Sequence, residues 1–167
     1  MEKHFFEFEE DFVEAGIRCI PMIVRFKLDA SGIKLKLTEW ARMTPEVRNH
    51  LAVSACKTEE EVLRYHNFLF DLVQCLTGNA PMLIPVEKDP AWARMDEIPY
   101  TIKERLAEIG VVCSSTQWQQ LTDLQRFALL KLSYSGHEHK NFSRALKEFG
   151  LLTVCPTQTE AHVGHDV

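Results

Sequence analysis

Residues 21–51 and 99–129 can be laid on one another without a gap, and this match constrains the fold more than any other feature of the chain. At an offset of 78, Pro21 falls on Pro99, Leu28 on Leu106, Gly32 on Gly110, Thr38 on Thr116, Trp40 on Trp118, Thr44 on Thr122, Arg48 on Arg126 and Leu51 on Leu129. Eight of thirty-one positions are therefore identical, and Val24/Ile102, Arg25/Lys103, Lys27/Arg105, Ile33/Val111 and Met43/Leu121 agree in type. Each copy reads the same way. A proline starts a helix, because its fixed φ suits the first turn and its missing N–H is no loss there. A glycine stops it. A short extended link then carries Thr-x-Trp, and a threonine caps a further helix that bears an arginine. Two explanations fit the echo: a pseudo-duplication, or the recurrence of start, stop and cap signals in a helical chain. Under both, a tryptophan just ahead of a capped helix can pack over that helix while its indole N–H seeks a carbonyl.

The remaining elements follow from the same signals. MEKHFFEFEEDF sets Phe6, Phe8 and Phe12 among carboxylates, which predicts a short extended arm held on the core by its rings. Ile33, Leu35 and Leu37 alternate with Lys34, Lys36 and Thr38, predicting a brief strand or extended link. Thr44-Pro45 opens a helix. In TEEEVLRYHNFLFDLVQCLTG, Thr58 and Glu61 form a capping box and Gly78 stands just past the end. Its apolar stripe through Val62, Tyr65, Leu69, Leu72 and Leu76, widened by Leu63, Phe70 and Val73, predicts the spine of the core. Pro81, Pro85, Pro90 and Pro99 then forbid a long regular element, leaving a connector that Met82, Leu83, Ile84 and Trp92 are expected to pin. Three amphipathic helices follow, each ending near a glycine. The expectation is a mainly α, single domain of about six helices over 1–155, with a short N-terminal arm and a flexible tail at 156–167.

Composition bounds what such a domain does. At 167 residues and 46% hydrophobic, the chain needs neither disulfides nor metal for stability. Five singly spaced cysteines, with no signal peptide, suit a reduced, cytoplasmic protein. No run reaches the roughly 18 apolar residues of a membrane span. A net charge of -5 speaks against nucleic acid. The charge is uneven, however. Residues 1–14 carry six acids against Lys3, whereas 18–42 carry six cations against Asp29 and Glu39, so the two segments can neutralise each other.

Several side chains carry candidate chemistry. Cys19 stands at the mouth of the first helix beside Arg18, where a thiol pKa is lowered; the alternative is a small buried hydrophobe. Arg25 and Lys27 lie about 200° apart on a helix, so they cannot form one patch. Arg25 is four residues from Asp29, the spacing of a helical ion pair, and Lys27 is placed to run its stem over the core. Alternatively Arg18, Arg25, Lys34 and Lys36 converge on an acidic partner or a phosphate-bearing cofactor. Trp92 is a partner anchor if exposed and core filler if not. His137, His139, His162 and His165 have no partner at a zinc-like spacing, so no metal is expected. Phosphate-loop, dinucleotide, zinc-protease and hydrolase motifs are absent, and nothing positive points to an enzyme.

FEFEEDF, RCIPMIVRFKLDASGIKLKLTEW, the later W-x2-L-T-x3-R, and ALKEFG together resemble the nitrate reductase-associated protein family over residues 5 to about 150. The resemblance implies a non-catalytic accessory protein, itself without cofactor, that binds an assimilatory nitrate reductase carrying molybdenum cofactor and iron–sulfur clusters and supports its maturation or activity. It marks Arg18, Cys19, Pro21, Met22, Arg25, Lys27, Asp29, Gly32 and Lys34 as the matched motif. Partner contacts are accordingly expected at Arg18, Cys19, Arg25, Lys27, Lys34, Lys36 and Trp92. A regulatory protein binding a small anion or a pterin through the same cations is the alternative, and a cysteine-dependent enzyme using Cys19 is a third.

Overall fold

The computed structural model describes residues 5–10, 19–134 and 139–152. Among the described residues there are eight α-helices: α1 (Met22–Ser31), α2 (Leu37–Ala41), α3 (Pro45–Val53), α4 (Glu59–Thr77), α5 (Tyr100–Glu108), α6 (Ser115–Gln120), α7 (Asp123–Tyr134) and α8 (His139–Glu148). Two-residue strands β1 (Ile33–Lys34) and β2 (Met82–Leu83) pair antiparallel, and short 3-10 turns occupy Glu7–Glu9 and Ala91–Ala93. The mainly α expectation holds, with two helices more than the six read from sequence. The additions are α2 and α6, the short helices that carry the tryptophans. A carboxylate or amide three residues on secures each start: Glu39 Oε2 accepts from Lys36 N at 2.8 Å, and Gln117 Oε1 accepts from Ser114 N at 2.9 Å.

The echo at offset 78 is geometric. Pro21 and Pro99 both stand at the N-cap, one residue before the expected position, with φ −57° and −54°. Gly32 and Gly110 follow their helices in the left-handed conformation, at φ 71° and 69°. Thr44 and Thr122 accept from the backbone N–H three residues on. Buried side chains form two clusters, and equivalent residues line them: Val24, Leu28, Trp40, Met43 and Leu51 in the first, Ile102, Leu106, Trp118, Leu121 and Leu129 in the second. The arginines are equivalent too. Arg48 Cζ and Arg126 Cζ each stand 5.9 Å from the ring centre of their own tryptophan.

Helix α1 joins the clusters, because Met22 and Phe26 face the second while Val24 and Leu28 face the first. The spine is not α4. That helix buries only Tyr65, Leu69 and Val73, and leaves Leu63 and Phe68 exposed, because it lies at the edge against α1 and α2. The enclosed helix is α7, packed on α1, α5, α8 and the 91–93 turn, with every residue from Arg126 to Leu130 buried.

Backbone pairing pins the connector more than the expected side chains do. Met82 and Leu83 point outward, and the segment is held by β2 on β1, by Ile84 N donating to Gly32 O at 2.9 Å, and by Trp92. Gly32 is obligatory here, since a Cβ would lie 3.0 Å from Ile84 O in addition to the strain of its φ.

The N-terminal arm forms a 3-10 turn where an extended run was expected, and its rings pack as expected: Phe6 stacks on Phe8 at 5.3 Å and meets Phe149 at 5.0 Å. Two carboxylates clamp it. Glu148 accepts from Glu7 N and Phe8 N, and Glu9 accepts from Phe6 N and, at 2.7 Å, from Met22 N at the start of α1. Burial pushes the Glu9 carboxyl up to about 7, against the pull of those N–H groups and of Arg25. Acidic arm and basic helix thus meet at Glu9. Phe12 and the tail at 156–167 lie outside the described residues, among which no helix is long and apolar enough to cross a membrane.

Candidate docking cleft

An open cleft of about 1070 Å³ separates the two clusters, between α1, α7 and connector residues 84–93. Its floor is aromatic. Phe26 lies 5.1 Å from Trp92 and 5.2 Å from Phe127, edge-on to the latter, so three rings from three separate segments lock together. Helical periodicity places Phe26 and Phe127 there, and Pro90 begins the turn that delivers Trp92. Trp92 is half-buried and belongs both to the core and to the cleft wall.

Among the described residues one ion pair crosses the cleft. Lys131 Nζ on α7 meets Asp29 Oδ2 on α1 at 2.7 Å and stands 5.2 Å from the centre of the Phe127 ring. The helical pair expected between Arg25 and Asp29 is therefore not formed: Asp29 turns across the cleft to Lys131, and Arg25 Nη1 rests 3.8 Å from Met22 Sδ. An ion pair exposed to this degree adds at most about 1 kcal/mol. Its larger effect is to set a dipole into an otherwise apolar wall. The rim carries Lys57, Glu87, Lys88 and Asp123, with Val86 exposed beside them.

The residues singled out in the sequence do not gather in one place. Lys27 is buried, its Nζ donating to Ala52 O at 2.5 Å and Ser54 O at 2.7 Å, so it caps the C-terminus of α3 rather than facing solvent. Burial pulls its pKa down. Cys19 is half-buried ahead of α1, and no disulfide joins it to Cys56, Cys75 or Cys113. Arg18 lies outside the described residues. Lys34 and Lys36 are exposed on and after β1, beside the outward side chains of Met82 and Leu83. Among the described residues no three His, Cys, Asp or Glu side chains form a metal-binding group. Sequence reasoning missed Phe26, Phe127 and Lys131. The first two were readable as apolar helix positions; Lys131 gave no signal, because its partner is a hundred residues away.

Fold and cleft define a helical module of two structurally echoing halves with an open, aromatic-floored groove between them. The chain belongs to the family described as conserved nitrate reductase-associated protein, whose model matches residues 5–149. No curated protein and no solved structure matches it.

Proposed function

We propose that this chain is a non-catalytic accessory protein that binds nitrate reductase, a molybdenum-cofactor and iron–sulfur enzyme, in the cytoplasm and supports its maturation or activity. The family match over 5–149 carries the reading. The cleft supports it, because an aromatic floor with Val86 exposed in its wall gives a partner a surface to cover, while Lys57 and Lys88 on its rim, and Lys34 and Lys36 exposed on and after β1, supply charge for steering. Arg25 contributes to the field near α1, and Lys27 acts through the fold rather than by contact.

The test is co-purification of reductase with the tagged chain from nitrate-grown cells, repeated with Val86→Asp and with Lys34→Glu/Lys36→Glu. Retention by the native chain and loss in both variants at unchanged melting temperature is the expected result. Failure to retain either apo or holo reductase contradicts the reading. The aromatic trio beside Lys131 favours a second reading, a regulator holding a flat anionic ligand such as a pterin phosphate, or a small anion such as nitrate. A ligand selective for the folded chain raises its melting temperature, so thermal shifts with each compound discriminate the two.

A further inference from the structure

The two tryptophan–arginine corners differ in what completes them. At the second, the connector straps across. Trp118 Nε1 donates to Arg94 O at 2.8 Å and Arg126 Nε donates to Trp92 O at 2.9 Å. Arg126 also donates to Leu121 O and pairs with Asp123, so each of its three guanidinium nitrogens has a partner. At the first corner the same arginine sits over the same ring, but Arg48 Nε is buried with no acceptor among the described residues. Asp123 has no counterpart, since Pro45 occupies its place at offset 78. Among the described residues Arg48 forms no ion pair. The residues equivalent to the strap, 14–16, lie outside the described residues.

A buried guanidinium N–H without an acceptor is costly and rare. Here the other corner shows what completes the geometry: a 3-10 turn running into extended chain, which offers the carbonyls of Trp92 and Arg94, together with a carboxylate from α7. Lys36 and Arg42, exposed on either side of Trp40 in sequence, add positive charge.

We infer that the Trp40–Arg48 corner is a docking site for an acidic peptide segment of a partner protein, whose carbonyls and carboxylate take the places that Trp92, Arg94 and Asp123 take at Trp118–Arg126. That the partner is the reductase rests on the reading above; peptide capture at this corner does not. The occupant is peptidic because the orphaned Nε–H matches one that takes a backbone carbonyl at the other corner, and acidic because Pro45 stands in place of Asp123 and Lys36 and Arg42 add positive charge.

The probe is a capped Glu/Asp hexapeptide, with its Gln/Asn analogue and inorganic phosphate as controls, titrated while the Nε–H resonances of Arg48 and Arg126 and the indole N–H of Trp40 are followed by NMR. The acidic peptide is expected to move Arg48 and Trp40 and to leave Arg126 unmoved, with neither control matching it. Arg48→Met, which keeps the stem, should weaken binding at least about tenfold, the loss of one charge-assisted contact. Pro45→Asp supplies the missing carboxylate from within, and should weaken the peptide similarly while raising the melting temperature, which separates competition from unfolding. The proposal is overturned if phosphate reproduces the shifts, if Arg48→Met binds as well as the native chain, or if Arg48 Nε–H resembles that of Arg126 before peptide is added, meaning the chain fills its own corner. Peptide binding that survives alongside failure to retain reductase refutes the partner and leaves the site standing.

Discussion

Arg126→Met and Arg48→Met remove equivalent side chains from equivalent corners, yet should differ several-fold in cost. Arg126 is 3% exposed and donates to Trp92 O, Leu121 O and the Asp123 carboxylate. Methionine replaces the stem but leaves two carbonyls without their donor. Each orphaned buried acceptor costs about 1–3 kcal/mol, and a buried pair broken from one side about 3–5. Asp123 itself is exposed and can return to water, so the estimate falls at roughly 3–4 kcal/mol. In a chain of this length that is a fall in melting temperature of about 8–14 °C. Arg48→Met gives up one cation–π contact, worth about 0.5–1 kcal/mol, and relieves an unpaired buried N–H, so its net effect should lie within about 1 kcal/mol of zero. Urea unfolding followed by circular dichroism measures both. Equal losses for the two variants would refute the reasoning that one corner is complete and the other open.

Three further outcomes follow from the same contacts. Lys27→Met should cost about 2 kcal/mol and fray the end of α3, seen as faster amide exchange near His50–Ser54, because two carbonyls lose their donor. Glu9 has its folded pKa raised to about 7 from 4.5, so the native state holds more protons than the unfolded one in that window. Stability should therefore fall as pH rises from 4.5 to 7, by on the order of 3 kcal/mol, and Glu9→Gln should flatten the profile; an unchanged slope would contradict the burial argument. Gly32→Ala should cost clearly more than Gly78→Ala, at least about 2 against about 1 kcal/mol, because both have positive φ but only at Gly32 does the new Cβ meet the connector; equal values in urea melts would sink the distinction.

How far the sequence could be read depended on the range of the interaction. Pro21, Gly32, Thr44, Thr58 with Glu61, and Gly78 are local signals, and each marks a boundary the chain keeps. Alternation at Ile33, Leu35 and Leu37 suggested extension throughout, but Glu39 capping Lys36 N–H turns the last of these into α2. A carboxylate three residues on was the missed sign. The apolar stripe of α4 was real and its depth was not, since periodicity says which face is buried and not how many neighbours cover it. Arg25 and Asp29 had the right spacing for a pair, and a lysine on α7 took the acid instead. The same limit hid the cleft: Phe26, Trp92 and Phe127 meet only through tertiary packing. The contrast between the arginines had been written in the repeat all along, with Pro45 opposite Asp123, but gains meaning only once the strap at 92–94 is seen.

Hydrogen exchange on the chain with and without nitrate reductase tests the account most directly. Binding through the cleft and first corner should protect amides in 84–93, in α7 near Lys131, and around Trp40 to Arg48, while the Phe6–Phe149 face stays unchanged. Protection confined to that aromatic N-terminal face, or none anywhere at saturating reductase, would contradict it.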